Sequence, residues 1–260
     1  MRTSHLFCGA VFFTAVCTAF ADDGVWTAGS GVWTGTANWL DGIVPGTGDK
    51  ASFAGAGGTV TIPDGSPFTL SALLFNTNAA NVGWILSGET NTLVAPAEVR
   101  VDANVAGLYS VLAGSAGLTK SGNSVLELRA TNNLFSGSVT VTGGLVRARS
   151  DGSLGPVPGS PVADAIVLDG GGLANYVETL TVNASRGITI GPKHGWLLAR
   201  SSTDTEIEAP ITGSGKVSIS RNNGVVVFSN PSNDYSGDTV VGADRSEERR
   251  VGKECRSRWS

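Results

Sequence analysis

The sequence predicts an all-β protein, specifically a right-handed parallel β-helix (solenoid) with an N-terminal Trp-rich β cap. Three observations lead to this fold class. Runs of four to six residues alternate between apolar and polar side chains, which is the period of a half-buried strand. Glycine, at 36 of 260 residues, and asparagine recur between these runs as corner residues. The strand-and-corner units also repeat, which a solenoid requires and a β-sandwich, the alternative, does not.

Residues 1–21 have the pattern of a secretory signal peptide. Arg2 supplies a positive charge, Leu6 to Val16 is apolar, and Ala19-Phe20-Ala21 places small residues where a signal peptidase cuts. The apolar stretch is shorter than a membrane-spanning helix needs. We therefore expect an exported chain that begins at Asp22 after cleavage.

Residues 245–260 read RSEERRVGKECRSRWS, a composition unlike the rest of the chain. This stretch is similar to the in-frame translation of a common short-read sequencing adapter. We expect it to be an artefactual disordered tail, and we expect the natural protein to continue beyond Asp244. The alternative is a basic tail that binds nucleic acid.

Charge and cysteine content exclude several classes of function. Between the two ends the chain has 11 basic and 19 acidic residues, a net charge of −8, which disfavours nucleic acid as a partner. The three cysteines, Cys8, Cys17 and Cys255, all lie in the two ends. We therefore expect no disulfide in the mature segment, no cysteine-based metal site and no cofactor.

Residues that could carry chemistry are scattered. Most aspartates fall in Gly- and Ser-rich turns, as solvated corner residues do, and His194 has no partner nearby in sequence. Glu206 and Glu208 share one face of a predicted strand, where they could form an acid–base or calcium pair. A solvated strand face around Ile207 explains the same spacing. We assign no catalytic, cofactor-binding or metal-ligating residue.

One unit of strand, strand, corner and strand occurs twice, at about residues 111–145 and 211–244. Its corner reads Asn-x-aromatic-Ser-Gly. The repeat corner residues are Asn133, Phe135 and Gly137 in the first copy, and Asn233, Tyr235 and Gly237 in the second. We expect the two asparagines to occupy the same corner, bonding neighbouring backbone groups. The aromatic rings are expected to contact an adjacent coil; stacking on a sugar is the alternative.

These residues resemble the autotransporter-associated β-strand repeat. The similarity rests on Gly117 to Lys120, Asn133 to Val141, Gly143-Gly144-Leu145 and Arg186 to Gly191. Phe135 stands where that family usually has tyrosine, and the second copy has a compressed start. The resemblance implies a β-helical passenger, with a C-terminal barrel or anchor elsewhere in the natural protein.

The region 22–55 is expected to form the N-terminal cap, and residues 56–244 the β-helix. Trp26, Trp33 and Trp39 are closely spaced there, and their indoles would cover the first coil. The alternative is a carbohydrate-binding aromatic face built from these tryptophans or from Trp84.

The sequence thus predicts a non-enzymatic exported β-helical passenger that acts as a surface stalk or adhesin-like rod. The alternative is a carbohydrate-binding or polysaccharide-degrading β-helix protein. The expected location is secreted or on the cell surface of a Gram-negative-type bacterium. The expected partners are surface polysaccharide or neighbouring cells, with no nucleic acid, and contact with a membrane only through a C-terminal anchor or barrel.

Overall fold

The computed structural model describes residues 22–76, 83–200, 202–221 and 224–242. The predicted signal peptide at 1–21 and the predicted adapter-derived tail at 245–260 lie outside these residues.

The described chain forms three β-sheets in which all neighbouring strands run parallel. The chain passes from one sheet to the next and returns to the first, so that successive coils add strands to each long sheet, with β9 and β10 of one coil both pairing with β7. The parallel β-helix predicted from the sequence is confirmed. The antiparallel β-sandwich alternative does not fit these pairings.

The first sheet contains ten strands, which are short except at β7. They are β1 (Gly24–Trp26), β3 (Lys50–Phe53), β5 (Thr69–Phe75), β7 (Asn91–Val101), β9 (Leu112–Ala113), β10 (Leu118–Ser121), β12 (Val139–Val141), β14 (Val162–Leu168), β17 (Arg186–Ile190) and β20 (Ile211–Gly213).

The second sheet also contains ten strands. They are β2 (Gly31–Val32), β4 (Gly58–Ile62), β6 (Trp84–Gly88), β8 (Val105–Leu108), β11 (Val125–Leu128), β13 (Gly144–Ala148), β15 (Gly171–Asn175), β18 (Gly195–Ala199), β21 (Val217–Arg221) and β23 (Thr239–Val241).

The third sheet is confined to the C-terminal half of the solenoid. It consists of β16 (Leu180–Val182), β19 (Thr205–Ile207) and β22 (Val226–Phe228). Helical structure in the described residues is limited to three 3₁₀ segments, Thr36–Asn38, Leu40–Gly42 and Asp151–Leu154.

The hydrophobic core runs along the inside of the solenoid because identical faces of successive strands stack in register. In the second sheet Leu126 lies beside Val146, which lies beside Leu173 and then Leu197. All four are fully buried. Burying a side chain of this size contributes roughly 1.5–3 kcal/mol, so the stacked apolar row stabilises the chain without cysteines.

The N-terminal end of this core is aromatic. Strand β1 pairs with β3, and between these strands the chain turns through two 3₁₀ segments. An isolated antiparallel bridge joins Trp39, which lies between those segments, to Trp26. The Trp-rich cap at this end is confirmed as an aromatic cluster. Its bounds at 22–55, and those of the two repeats, stay predictions.

Candidate functional site

The side chain of Asn133 links three successive coils. The backbone N–H of Leu112, 21 residues earlier, donates to Asn133 Oδ1 at 2.8 Å. Asn133 Nδ2 donates to the carbonyl oxygen of Ser153, 20 residues later, at 2.7 Å. The side chain is 2% exposed. One buried amide therefore satisfies a donor in the coil before it and an acceptor in the coil after it.

The rest of the first corner is closely packed. Phe135 is buried in the hydrophobic core, so its ring contacts neighbouring coils rather than solvent. Gly137 has φ 97°, and a Cβ there would lie 2.9 Å from the backbone nitrogen of Gly117 in the previous coil. Both the backbone conformation and the close approach require glycine.

The second corner repeats the same local contacts. The Ile211 N–H donates to Asn233 Oδ1 at 2.9 Å, and Tyr235 is half-buried with its hydroxyl 2.6 Å from that of Thr239. A Cβ on Gly237 would lie 2.1 Å from the carbonyl oxygen of Gly215. This corner is therefore built like the first, with less of each side chain covered.

The two corners lie on different edges of the solenoid. After Asn133 the chain enters β12 of the first sheet, whereas after Asn233 it enters β23 of the second sheet. The first corner lies against Leu112 of β9, whereas the second lies against Ile211 of β20. The motif specifies a contact between coils, which any edge can accommodate.

A further asparagine corner was missed by the sequence reasoning. Asn91 is fully buried, its Oδ1 accepts from the N–H of Phe68 at 2.9 Å, and its Nδ2 donates to the carbonyl of Glu89. Asn91 pairs in register with Leu112, the residue whose N–H bonds Asn133. The flanking residues, Thr90 and Thr92, lack the aromatic-Ser-Gly signal, so the repeat pattern gave no indication of this role.

The three cap tryptophans form one buried cluster. Trp26, Trp33 and Trp39 are 0%, 3% and 3% exposed. The ring centroids of Trp26 and Trp39 lie 5.1 Å apart, and those of Trp33 and Trp39 lie 4.8 Å apart, both in edge-to-face geometry. Trp39 Nε1 donates to the carbonyl of Trp33 at 2.7 Å. The rings contact one another and Phe53, so no indole face is open to a sugar here.

Trp84, also considered for sugar binding, is 1% exposed and contacts Phe53. By contrast Trp196 in β18 is 38% exposed, and the sequence reasoning did not select it. The alternation of inward and outward positions along β18 indicated this exposure. Leu197 is fully buried, so the residues on either side of it face outward.

Lys120 lies inside the solenoid at a position that is apolar in neighbouring coils. It pairs in register with Val99 and Val141, and it is fully buried. Its Nζ donates to the carbonyl oxygens of Ser121, Gly122 and Gly143, the last at 3.1 Å in the next coil. Burial lowers the pKa of Lys120 to about 8, opposed by the charge of Asp102. The ammonium therefore joins two corner turns through their carbonyl groups.

Arg186 has a similar structural role in the next part of the solenoid. Its guanidinium pairs with Asp151 at 2.9 Å and donates to the carbonyl oxygens of Leu154 and Gly155. It is almost completely buried. Strand β17 is thereby held to the 3₁₀ segment Asp151–Leu154 of the preceding coil.

The outer face of the second sheet carries a charged cluster. Glu127 accepts from Arg129 at 2.6 Å and from Arg147 at 2.9 Å. The Arg129 guanidinium lies over the ring of Tyr176, 3.5 Å from its centroid, and 4.9 Å from that of Tyr109. Charged and aromatic side chains from successive coils therefore meet at this cluster.

The carboxylates considered for chemistry do not form a metal cluster. Within the described ranges no group of three or more His, Cys, Asp or Glu residues is placed to hold an ion. Glu206 is half-buried and Ile207 beside it points into the core. His194 lies in an exposed turn. The described part of the chain also has no helix with the length and hydrophobicity of a membrane span.

Comparison with curated proteins finds a relative among bacterial surface proteins. Over 223 residues the chain is 34% identical to the adhesin BmaC autotransporter of Brucella suis biovar 1 (strain 1330). The match covers 84% of this chain and 6% of that adhesin. No protein-family model matches the chain, and no solved structure matches it.

Proposed function

We propose that this chain is a segment of an exported, adhesin-like autotransporter passenger, and that it acts as a non-enzymatic β-helical rod at the surface of a Gram-negative bacterium. The observation that carries the proposal is the uninterrupted parallel stacking of coils, found in a chain related to an autotransporter adhesin. The passenger resemblance of the repeats supports the same function.

The rod has the physical properties that such a function needs. Each coil forms hydrogen bonds only with its neighbouring coils. The rod can therefore become longer by the addition of coils, while the packing of the existing core stays the same. Buried links such as Asn133, Lys120 and Arg186 join neighbouring coils by hydrogen bonds to the backbone. The partners would be surface polysaccharide or neighbouring cells.

Surface display tests this function. The full chain is fused to an outer-membrane anchor in a non-adherent Gram-negative host, beside the anchor alone and a Gly137→Val variant whose corner cannot close. We expect the unmodified chain to be reached by external antibody and to increase adhesion to cell monolayers, and the variant to lose both. A chain that is displayed and adds no adhesion would contradict the adhesive role.

The enzymatic alternative is tested with the same material. The chain is incubated with acidic and neutral polysaccharides, and new reducing ends and unsaturated products are measured. We expect neither to exceed the level of the anchor alone. Product formation that grows with protein concentration would show a polysaccharide-degrading protein instead of a rod.

A further inference from the structure

The outer face of the second sheet presents an indole to solvent. Among the described tryptophans, Trp196 alone has a large exposed fraction. Its register partner on one side is Gly172, beyond which lies Leu145, and on the other side it is Ser218. A Cβ on Gly172 would lie 2.8 Å from Trp196 Cβ and 3.1 Å from a methyl carbon of Leu145. Trp196 and Leu145 therefore lie close over the backbone of Gly172, where a side chain would not fit.

A shallow depression lies beside Trp196 and Leu145 and extends across several coils. Its walls are Asn123, Gly144, Leu145, Gly170, Trp196 and Leu198. Three of these are apolar side chains, and the backbone at the two glycines and the amide of Asn123 add polar groups at one end. A flat aromatic surface with polar groups at its edge suits the apolar face and hydroxyl rim of a pyranose ring.

The row beside the depression is cationic. Arg129, Arg147, Arg149 and Arg200 follow the same sheet edge, and the acidic residues paired with them are Glu127 and Glu178. Four cations therefore face two carboxylates, on a chain whose mature segment is acidic overall. The local excess of positive charge makes this face complementary to an anionic ligand.

Arg200 is the arginine best placed to receive such a ligand. Within the described ranges its guanidinium forms no ion pair, unlike those of Arg147 and Arg149. It is half-buried, and burial together with the charge of Arg147 lowers its pKa. Arg200 lies four residues after Trp196 on the same outward face, about 13 Å away at the usual strand rise. That span suits a short oligosaccharide.

We propose that this face binds an acidic polysaccharide, with the indole of Trp196 stacked on a pyranose ring and Arg200 paired with a uronate carboxylate. The proposal rests on the proposed function, since it gives the adhesive rod a ligand class. A polysaccharide fits this face better than a folded protein does. The depression is shallow, and the cationic row beside it extends over several coils, as an extended charged polymer requires. Guanidinium and carboxylate match in charge and geometry.

The binding test uses the full chain and three uronate polymers, namely polygalacturonate, alginate and hyaluronate, with neutral dextran as the comparison. Affinity is measured by calorimetry at low and physiological salt. We expect at least one acidic polymer to bind and dextran to bind at least about tenfold more weakly. Trp196→Ala should lower the affinity about tenfold, and Arg200→Gln about fivefold with a weaker dependence on salt.

Matched controls are available on the same molecule. Ile85→Ala removes an exposed apolar side chain from the same sheet, and Arg100→Gln removes an exposed arginine from the first sheet. Both should bind within about twofold of the unmodified chain. Circular dichroism verifies that all variants keep their strand content. Absence of binding to all three acidic polymers, equal binding of dextran, or unchanged affinity in both site variants would overturn the proposal.

Adhesion of displaying cells separates this proposal from the function on which it rests. We expect adhesion to fall with Trp196→Ala and after treatment of the target cells with uronate-cleaving lyases. If adhesion is strong and neither change alters it, the adhesive rod remains and a protein partner replaces the acidic polysaccharide. If the displayed chain adds no adhesion while purified chain binds the polymer, the adhesive function fails and the binding site remains.

Discussion

Buried polar side chains between coils are the residue-scale feature that determines how this solenoid is held together. Asn133, Lys120 and Arg186 all reach the backbone of a neighbouring coil. A buried donor or acceptor that loses its partner costs about 1–3 kcal/mol. Each of these residues should therefore matter more to stability than its position at a turn would indicate.

Replacement of Asn133 tests this directly. Asn133→Ala leaves the N–H of Leu112 and the carbonyl of Ser153 without their partner, and should lower the free energy of unfolding by about 2–4 kcal/mol. Asn233→Ala is the matched control, since that side chain is only half-buried and accepts from Ile211. It should cost about 1 kcal/mol. Urea denaturation measures both, and equal losses would contradict the three-coil link.

Lys120 makes stability depend on pH. Its pKa in the folded chain is about 8, below the value of ~10.4 expected when unfolded. Between these values the unfolded chain binds more protons, so stability rises as pH increases. We expect the free energy of unfolding to rise by up to ~3 kcal/mol from pH 7.5 to 10.

The Lys120 contribution is isolated by comparing variants in urea across that pH range. Lys120→Met removes the titrating group and should abolish most of the rise, whereas replacement of the exposed Lys193 by methionine should preserve it. A rise of the same size in Lys120→Met and the unmodified chain would show that other groups cause it.

At the scale of the element, β17 is fixed to the preceding coil by a buried ion pair. Arg186→Ala would leave Asp151 largely buried without its cation, which typically costs 3–5 kcal/mol, about the loss we expect in urea denaturation. The control, Arg100→Ala, breaks the exposed pair with Asp102 and should cost no more than about 1 kcal/mol. A loss of unfolding free energy in Arg186→Ala no larger than that in Arg100→Ala would contradict the stabilising role of the Arg186–Asp151 ion pair.

The cap is stabilised by contacts among its aromatic rings. Trp39→Ala removes the ring that contacts Trp26, Trp33 and Phe53, and should lower the free energy of unfolding by about 3–5 kcal/mol. Trp196→Ala, on the exposed outer face, should change it by less than about 1 kcal/mol. Thermal unfolding followed by far-ultraviolet circular dichroism compares the two, and similar losses would contradict the buried cluster.

Sequence and structure agree best where a residue acts through local geometry. Strand alternation and corner composition predicted the parallel coils, because each follows from one residue and its immediate neighbours. Asn91 was not selected because its flanking residues lack the repeat signal, whereas the outward position of Trp196 could have been read from the alternation along β18. The edge of the solenoid on which each repeat corner lies depends on which coils lie side by side, and a local pattern does not contain that information.

At the scale of the whole molecule, the solenoid is a one-dimensional array in which stability comes from contacts between adjacent coils. This organisation explains how the described part of the chain, which contains no cysteine, can be stable without disulfides. It also places outward side chains in rows that cross successive coils. The arginine row beside Trp196 is one such surface.

The parallel stacking itself is tested most directly by cross-linking two residues in adjacent coils. Thr189 and Thr212 are register partners in β17 and β20, with hydroxyl oxygens 3.4 Å apart. Neighbouring strands lie ~4.8 Å apart, and a separation of this size between Cα atoms falls within the range that a disulfide can bridge. In a background with Cys8, Cys17 and Cys255 replaced by serine, Thr189→Cys with Thr212→Cys should form an intramolecular disulfide on mild oxidation, detected by mass spectrometry. Thr140→Cys with Thr189→Cys, separated by one further strand, should not. Absence of the first cross-link, or equal formation of both, would contradict the stacked-coil account.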